Sequence, residues 1–170
     1  AAAALQARGF PPGACIGLKL RNCPEWGILF WAVLMAGYRP VMMDAGAGEA
    51  YDAQVIGHTL AAALIAKEKT GAGILVIAPG DLLAGGGVPE ERWADEILFC
   101  SSGTSGERTV QVFGGKNVTA QILAARVMPE YSKDIMYPDE EGPLRNLALL
   151  PFHHIFGFVA VFLWYTFFQK

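Results

Sequence analysis

Ala14–Asp44 reads A-C-I-G-L-K-L-R-N-C-P-E-W-G-I-L-F-W-A-V-L-M-A-G-Y-R-P-V-M-M-D. Ala14 to Leu20 is a short, mostly apolar run of strand type. Pro24 to Ala36 has no internal Pro and carries a long apolar face of Trp26, Ile28, Leu29, Phe30, Val33 and Leu34, which predicts a buried helix stopped at Gly37. Arg39 to Met43 is the next strand, reaching Asp44 and a Gly-rich loop. Strand, helix and strand at this spacing make a βαβ unit, and a parallel sheet follows. Asn22 is placed to cap the helix that Pro24 begins. Glu25 falls in the first turn, where the helix dipole favours an acid. A structural role for these residues outweighs a catalytic one.

Upstream, Leu5 to Gly9 end a helix and Phe10 to Gly13 make a Pro/Gly turn. Downstream, Glu49 to Leu60 reads as a helix, and Leu64 to Ala66 and Gly73 to Ala78 as strands. Asp81 to Glu91 reads as loop, because Gly85-Gly86-Gly87 and Pro89 cannot hold a regular element. A surface linker outweighs a phosphate loop at those glycines, since no helix starts behind them. His58, alone in its helix, reads as an ordinary residue rather than a ligand. Lys116 to Tyr131 has helical spacing, opened by Asn117 or Lys116. Tyr137 to Pro143 is an acidic turn that reads as solvated loop, and Arg145 to Leu150 is a further strand. The fold class is α/β, a parallel-type sheet with flanking helices, in one incomplete domain over residues 1–170.

Composition narrows the function. The 13 Lys and Arg against 16 Asp and Glu leave a mildly acidic chain with no basic concentration, which argues against nucleic acid as a partner. Cys15, Cys23 and Cys100 are odd in number and form no C-x-x-C pair. That pattern fits a reduced, cytoplasmic compartment rather than a disulfide framework or a zinc site. The opening A-A-A-A-L-Q-A-R-G-F lacks the pattern of a secretory signal and reads as a helix entered midway. The final W-Y-T-F-F-Q-K has nothing to stop it. Both ends are expected to be cut.

The chemistry concentrates in Ile97–Val112, I-L-F-C-S-S-G-T-S-G-E-R-T-V-Q-V. An apolar strand, Ile97 to Cys100, enters a small-residue loop, and a β-branched run, Thr109 to Val112, leaves it. Gly103 and Gly106 allow positive φ and close approach of a ligand to the backbone. Ser101, Ser102, Thr104 and Ser105 add hydroxyls beside the loop amides, a donor set that suits polyphosphate. The spacing is not that of a Walker loop. An ordinary Ser/Gly hairpin loop explains the same residues equally well on conformational grounds alone.

S-S-G-T-S-G-E-R, preceded by W-A-D-E-I-L-F-C, resembles the phosphate-loop signature of the adenylate-forming superfamily, [ST]-S-G-[ST]-[ST]-G-x-P-K-G. Ser101 to Gly106 match it position by position. The family's Pro falls on Arg108, its Lys on Thr109 and its final Gly on Val110. The missing Lys is a mobile cation that meets the ATP phosphates in the family, and Arg108, one residue earlier, would be the residue to substitute for it. L-R-N-C-P-E-W and L-M-A-G-Y-R-P-V, within Leu18 to Asp44, add to the resemblance. Pro151 to Gly157, P-F-H-H-I-F-G, resembles the family's P-x-F-H-x-x-G segment, which follows a strand and borders the acyl pocket. His154 aligns with the family's His.

The resemblance implies the N-terminal portion of the large domain of an adenylate-forming enzyme, most like an acyl-CoA synthetase. It implies ATP with Mg²⁺, a carboxylic acid substrate, and CoA or the phosphopantetheine of an acyl carrier protein as acceptor. Ser101, Ser102, Gly103, Thr104, Ser105, Gly106 and Arg108 would bind the nucleotide, His154 would serve the acyl site, and no residue is assigned to metal. The family's Tyr-Gly-x-Thr-Glu segment, later Asp and C-terminal domain with its Lys do not occur, so these 170 residues are not expected to catalyse adenylation alone. A non-catalytic nucleotide- or acyl-binding module is the competing reading. A third is a membrane-associated protein held through the apolar run Ile155 to Phe168, which falls short of the roughly 20 residues a span needs. A buried helix lining an acyl pocket outweighs it.

Overall fold

The computed structural model describes residues 1–102, 108–127, 131 and 147–167. Contacts divide the chain into two units, Ala1–Gly114 and Gly115–Lys170.

The first unit is built on β1 (Cys15–Lys19), β2 (Arg39–Met42), β3 (Ala63–Ala66), β4 (Leu75–Ile77), β5 (Glu96–Ser102) and β6 (Arg108–Gly114). They form a six-stranded sheet in the order β4-β3-β1-β2-β5-β6. The neighbours from β4 to β5 pair parallel, and β6 closes the edge antiparallel to β5. The parallel sheet expected from Ala14–Asp44 is present, with β1 at its middle. Cys15 to Leu18 are all buried, as a strand covered on both faces requires. The helices of this unit are α1 (Ala2–Gln6), α2 (Pro24–Met35), α3 (Glu49–Thr59) and α4 (Pro79–Leu83). Cys15, Val41, Met43, Leu64 and Leu98 pack with Tyr51 and Val55 of α3. The alternate residues Ile16, Leu18, Met42 and Ile65 are equally buried, and the pleat turns them to the opposite face.

α2 ends as its glycine predicts. The Gly37 N–H donates to the Leu34 carbonyl and the Tyr38 N–H to the Val33 carbonyl, both at 3.0 Å. That pair of bonds is the Schellman arrangement, which needs a left-handed residue after the cap, and Gly37 has φ +85°. A Cβ there would also lie 2.7 Å from the Arg92 carbonyl oxygen. α3 also ends on a left-handed residue, but here it is not glycine: Leu60 takes φ 50° while 84% exposed. Where β1 ends, the Lys19 ammonium donates to Asp52 Oδ2 at 2.6 Å and to the Ala47 carbonyl at 2.9 Å. The Thr70 hydroxyl donates to the same carboxylate oxygen at 2.9 Å. Asp52 is 1% exposed, and its Oδ1 has no partner among the described residues.

The second unit holds α5 (Gly115–Ala124), a 3₁₀ turn at Ala125–Val127, a π-helical segment Gly157–Leu163 and α6 (Trp164–Phe167). The Trp164 indole N–H donates to the Ala125 carbonyl at 3.3 Å, and Phe158, Leu163 and Trp164 are buried. A Cβ on Gly157 would stand 2.3 Å from the Pro151 carbonyl oxygen. Only glycine lets the preceding turn lie directly on this helix.

Several expectations need correction. Cys23, not Asn22, is the N-cap of α2, with no side-chain cap bond; Pro24 at the first position and Glu25 in the first turn stand as expected. Ile28, placed on the apolar face, is 54% exposed. Asp81 to Leu83 belong to α4, where Pro79 opens a short helix and Leu82 is buried. α5 starts at Gly115 directly after β6 and ends at Ala124, where a 3₁₀ turn takes over through Val127; residues 128–130 of the expected helix lie outside the described residues. Residues 147–150 are not a strand; Leu147 and Leu149 are exposed, and Arg145 and Asn146 lie outside the described residues. The acidic turn Tyr137 to Pro143 lies outside them too, as does Phe168. Among the described residues, no helix is long and apolar enough to cross a membrane.

Two stability predictions follow from the helix ends and one from the buried pair. Gly37→Ala forces a Cβ into the left-handed region and should cost at least about 1–2 kcal/mol, whereas Leu60→Gly should gain about 0.5 kcal/mol; thermal unfolding reads both, with opposite signs. Lys19→Met leaves the Asp52 charge buried alone and should cost about 3 kcal/mol, most of it recovered in Lys19→Met/Asp52→Leu. A double variant no more stable than the single one would show that the pair itself holds β1 to α3.

Candidate functional site

The β5–β6 hairpin brings the two ends of the Ser/Gly loop together. Its register runs from Glu96↔Gly114 to Ser102↔Arg108, so β5 extends beyond Cys100 through Ser102. Gly103, Thr104, Ser105, Gly106 and Glu107 lie outside the described residues. At the neck, the Ser101 and Thr109 hydroxyls are 2.7 Å apart and hydrogen-bonded. Thr109, which stands at the family's Lys position, therefore closes the neck of the loop. It contributes a hydroxyl bridge there.

Arg108 returns directly beside Ser102. Its guanidinium carbon sits 4.3 Å from the centroid of the Tyr51 ring, a cation–π distance. Tyr51 belongs to the buried cluster on the α3 side of the sheet, and its hydroxyl oxygen accepts the Asp44 N–H at 3.0 Å. Burial, more than any charge, raises the Tyr51 phenol above its ordinary range, and Arg108 opposes the shift. Burial also pushes the Cys100 thiol up to about 11. Cys100 therefore stays protonated near neutrality and is no nucleophile there.

This neck lies at the carboxyl end of β5, which runs parallel to β2. Open α/β sheets bind ligands at that edge. Along the same edge, a cleft of about 530 Å³ opens beyond β1, β2 and β3, with Lys19, Arg21, Lys67 and Lys69 in its wall beside Glu68. Among the described residues no group of His, Cys, Asp and Glu could hold a metal ion.

His154 lies in the second unit, apart in sequence from the hairpin. It follows a turn, not a strand: its N–H donates to the Pro151 carbonyl at 3.1 Å and its carbonyl accepts the Phe158 N–H at 2.9 Å. The imidazole is exposed, with the His153 ring centroid 4.4 Å away. His58 is exposed on α3. The structure thus brings together Ser101, the Ser102 backbone, Thr109 and Arg108. Sequence reasoning missed Tyr51, whose contact with Arg108 spans residues far apart in the chain. The available signal was a large aromatic in the first turn of a helix following a parallel strand.

Solved structures share the fold of this chain. O-succinylbenzoate coenzyme A synthetase (MenE) from Bacillus subtilis, in complex with AMP, is similar with a TM-score of 0.78 at 16% identity, over 99% of this chain and 45% of that one. The Klebsiella oxytoca NpsA N-terminal subdomain, in complex with 3-hydroxybenzoyl-AMSN, is similar with a TM-score of 0.62 at 22% identity, over 71% of this chain and 33% of that one. An artificially fused adenylation–PCP di-domain from the same organism, NpsA-ThdA, gives a TM-score of 0.61 at 20% identity, over 71% and 26%. The chain therefore spans less than half of each of these structures, and at such identities the likeness establishes the fold. No curated protein sequence matches the chain. The family model for AMP-binding enzymes matches residues 1–167, and the chain belongs to that family.

Proposed function

We propose that this chain is the front part of an ATP-dependent carboxylate-activating ligase, and that its β5–β6 hairpin holds the phosphates of ATP. The observation that carries this reading is the hairpin neck, which sets Arg108 beside the Ser/Gly loop at the carboxyl end of a parallel strand, in a member of the AMP-binding family. The reaction is attack of a carboxylate oxygen on the α-phosphorus of ATP. The bond to the bridging oxygen breaks, and acyl-AMP and pyrophosphate form. The acyl group then passes to a thiol, of CoA or of a carrier-protein phosphopantetheine. The relatives, a coenzyme A synthetase and an adenylation–PCP fusion, support either acceptor.

Within that reaction, Ser101, Ser102, Gly103, Thr104, Ser105 and Gly106 supply hydroxyl and amide donors to the departing pyrophosphate. Donors fixed in place before reaction act on the charge that grows there in the transition state. Arg108 supplies the cation that the Thr109 position does not, and Mg²⁺ offsets further phosphate charge. His154 belongs to the wall of the acyl site, in a single large domain whose remaining parts complete the catalyst. We assign the protein to the cytoplasm, on its three free thiols.

Titration calorimetry with ATP·Mg²⁺ tests the reading. Arg108→Ala removes a charged donor and should weaken binding about tenfold or more. Thr109→Lys restores the family cation and should strengthen it. Equal affinities for the parent chain and Arg108→Ala would overturn the assignment of Arg108. In an ATP–pyrophosphate exchange assay the 170 residues should show no carboxylate-dependent turnover, and robust turnover would contradict the expectation that the remaining parts are required.

A further inference from the structure

We propose that Tyr51 is a positioning residue for phosphate binding: its ring holds the Arg108 guanidinium at the start of β6 without taking the guanidinium's N–H donors. The inference rests on the assignment of Arg108 to the phosphates and goes beyond it, to the residue that holds that cation in place.

Three observations carry it. The first is the contact, 4.3 Å from guanidinium carbon to ring centroid. The second is that Tyr51 is anchored both in the core and through its hydroxyl. It belongs to a buried cluster with Val41, Met43, Val55 and Leu98. Its hydroxyl accepts the Asp44 N–H, and the Asp44 carboxylate in turn accepts the Gly46 N–H at 2.8 Å. The platform is thus tied to the loop between β2 and α3 as well as to the core. The third is the choice of partner. The ion pairs among the described residues are Lys19–Asp52, Arg39–Glu96 and Arg92–Glu90, so no described carboxylate holds Arg108.

That choice has a chemical consequence. A carboxylate would hold the guanidinium by taking its N–H donors and cancelling its charge. An aromatic face attracts the cation through the ring quadrupole. The five N–H donors lie at the edge of the guanidinium plane and remain available to an oxyanion. Holding the side chain beforehand also reduces the rotamer entropy, about 2 kcal/mol for a free Arg, that binding would otherwise remove. A lysine at the family position is a point charge on a flexible stem; a stacked Arg one residue earlier needs a platform, and Tyr51 supplies it.

Titration calorimetry of the chain with magnesium pyrophosphate separates the two levels. Arg108→Ala reads the phosphate assignment, and the Tyr51 variants read the positioning. Tyr51→Leu should weaken pyrophosphate binding about threefold to tenfold. Tyr51→Phe, which keeps the ring, should restore affinity to within about twofold of the parent. Combined with Arg108→Ala, Tyr51→Leu should add no further loss, because its effect runs through the guanidinium. Full affinity in Tyr51→Leu, a Phe variant as weak as the Leu variant, or a Tyr51→Leu loss that persists in the Arg108→Ala background would each overturn the positioning role while leaving the phosphate assignment intact. Equal binding by the parent and Arg108→Ala would overturn both. Tyr51→Met carries the same expectation if Tyr51→Leu does not fold.

Discussion

The hydrogen bonding of β1 to β2 on one side and to β3 on the other is the constraint on which the first unit depends. A strand paired on both edges and buried from Cys15 to Leu18 has no route to solvent except at its ends. Both of its faces must be covered, and the polar residues that follow it must emerge at the carboxyl edge. The chain leaves β1 for β2, crosses back to β3 and β4, and then returns to β5 beyond β2. Such a reversal leaves the loops of the carboxyl edge converging on common ground. The cationic cleft beyond β1–β3 and the hairpin neck after β5 both lie along that edge.

Two cations near this edge are handled in opposite ways, and the difference separates stability from function. Lys19 is matched to the buried Asp52 carboxylate, with Ala47 and Thr70 completing the bonds. Its charge is consumed by the fold. Burying a pair of this kind costs desolvation that only good geometry offsets, and Asp52 Oδ1, without a partner among the described residues, adds to the cost. Arg108 instead rests on a neutral ring. In the proposed function its charge is the one left for an anion. The Ser101–Thr109 bridge then fixes the neck between the strand that delivers the loop and the strand that returns the cation.

Much of the architecture was legible in the chain. Apolar β-type runs, Pro24 at a helix start and Gly37 at its end are local signals, and each reports backbone geometry within a few residues. The β-branched run after the Ser/Gly loop was legible for the same reason, though its antiparallel pairing was not. What failed was placed by contacts distant in sequence. The short helix at Pro79–Leu83 was hidden by the glycines that follow it, although Pro79 and Asp81 are good first-turn residues. Residues 147–150 have strand composition, yet a strand exists only where a neighbour accepts its hydrogen bonds. Gly157 shows a motif residue explained only by the fold: the Pro151 carbonyl excludes any Cβ there. Tyr51 was invisible as a site residue because nothing in E-A-Y-D points to a guanidinium more than fifty residues away. Its partner could be recognised only through the hairpin register.

The central claim is that the Ser101–Arg108 hairpin is a polyphosphate site. The most direct measurement is an amide NMR titration of the ¹⁵N-labelled chain with magnesium pyrophosphate. The account predicts saturable shifts concentrated at Ser101 to Val110, with smaller ones at Asp44 and Tyr51, which touch Arg108 or its platform. Shifts confined to the cleft around Arg21, Lys67 and Lys69, or no saturable shifts at all, would contradict it.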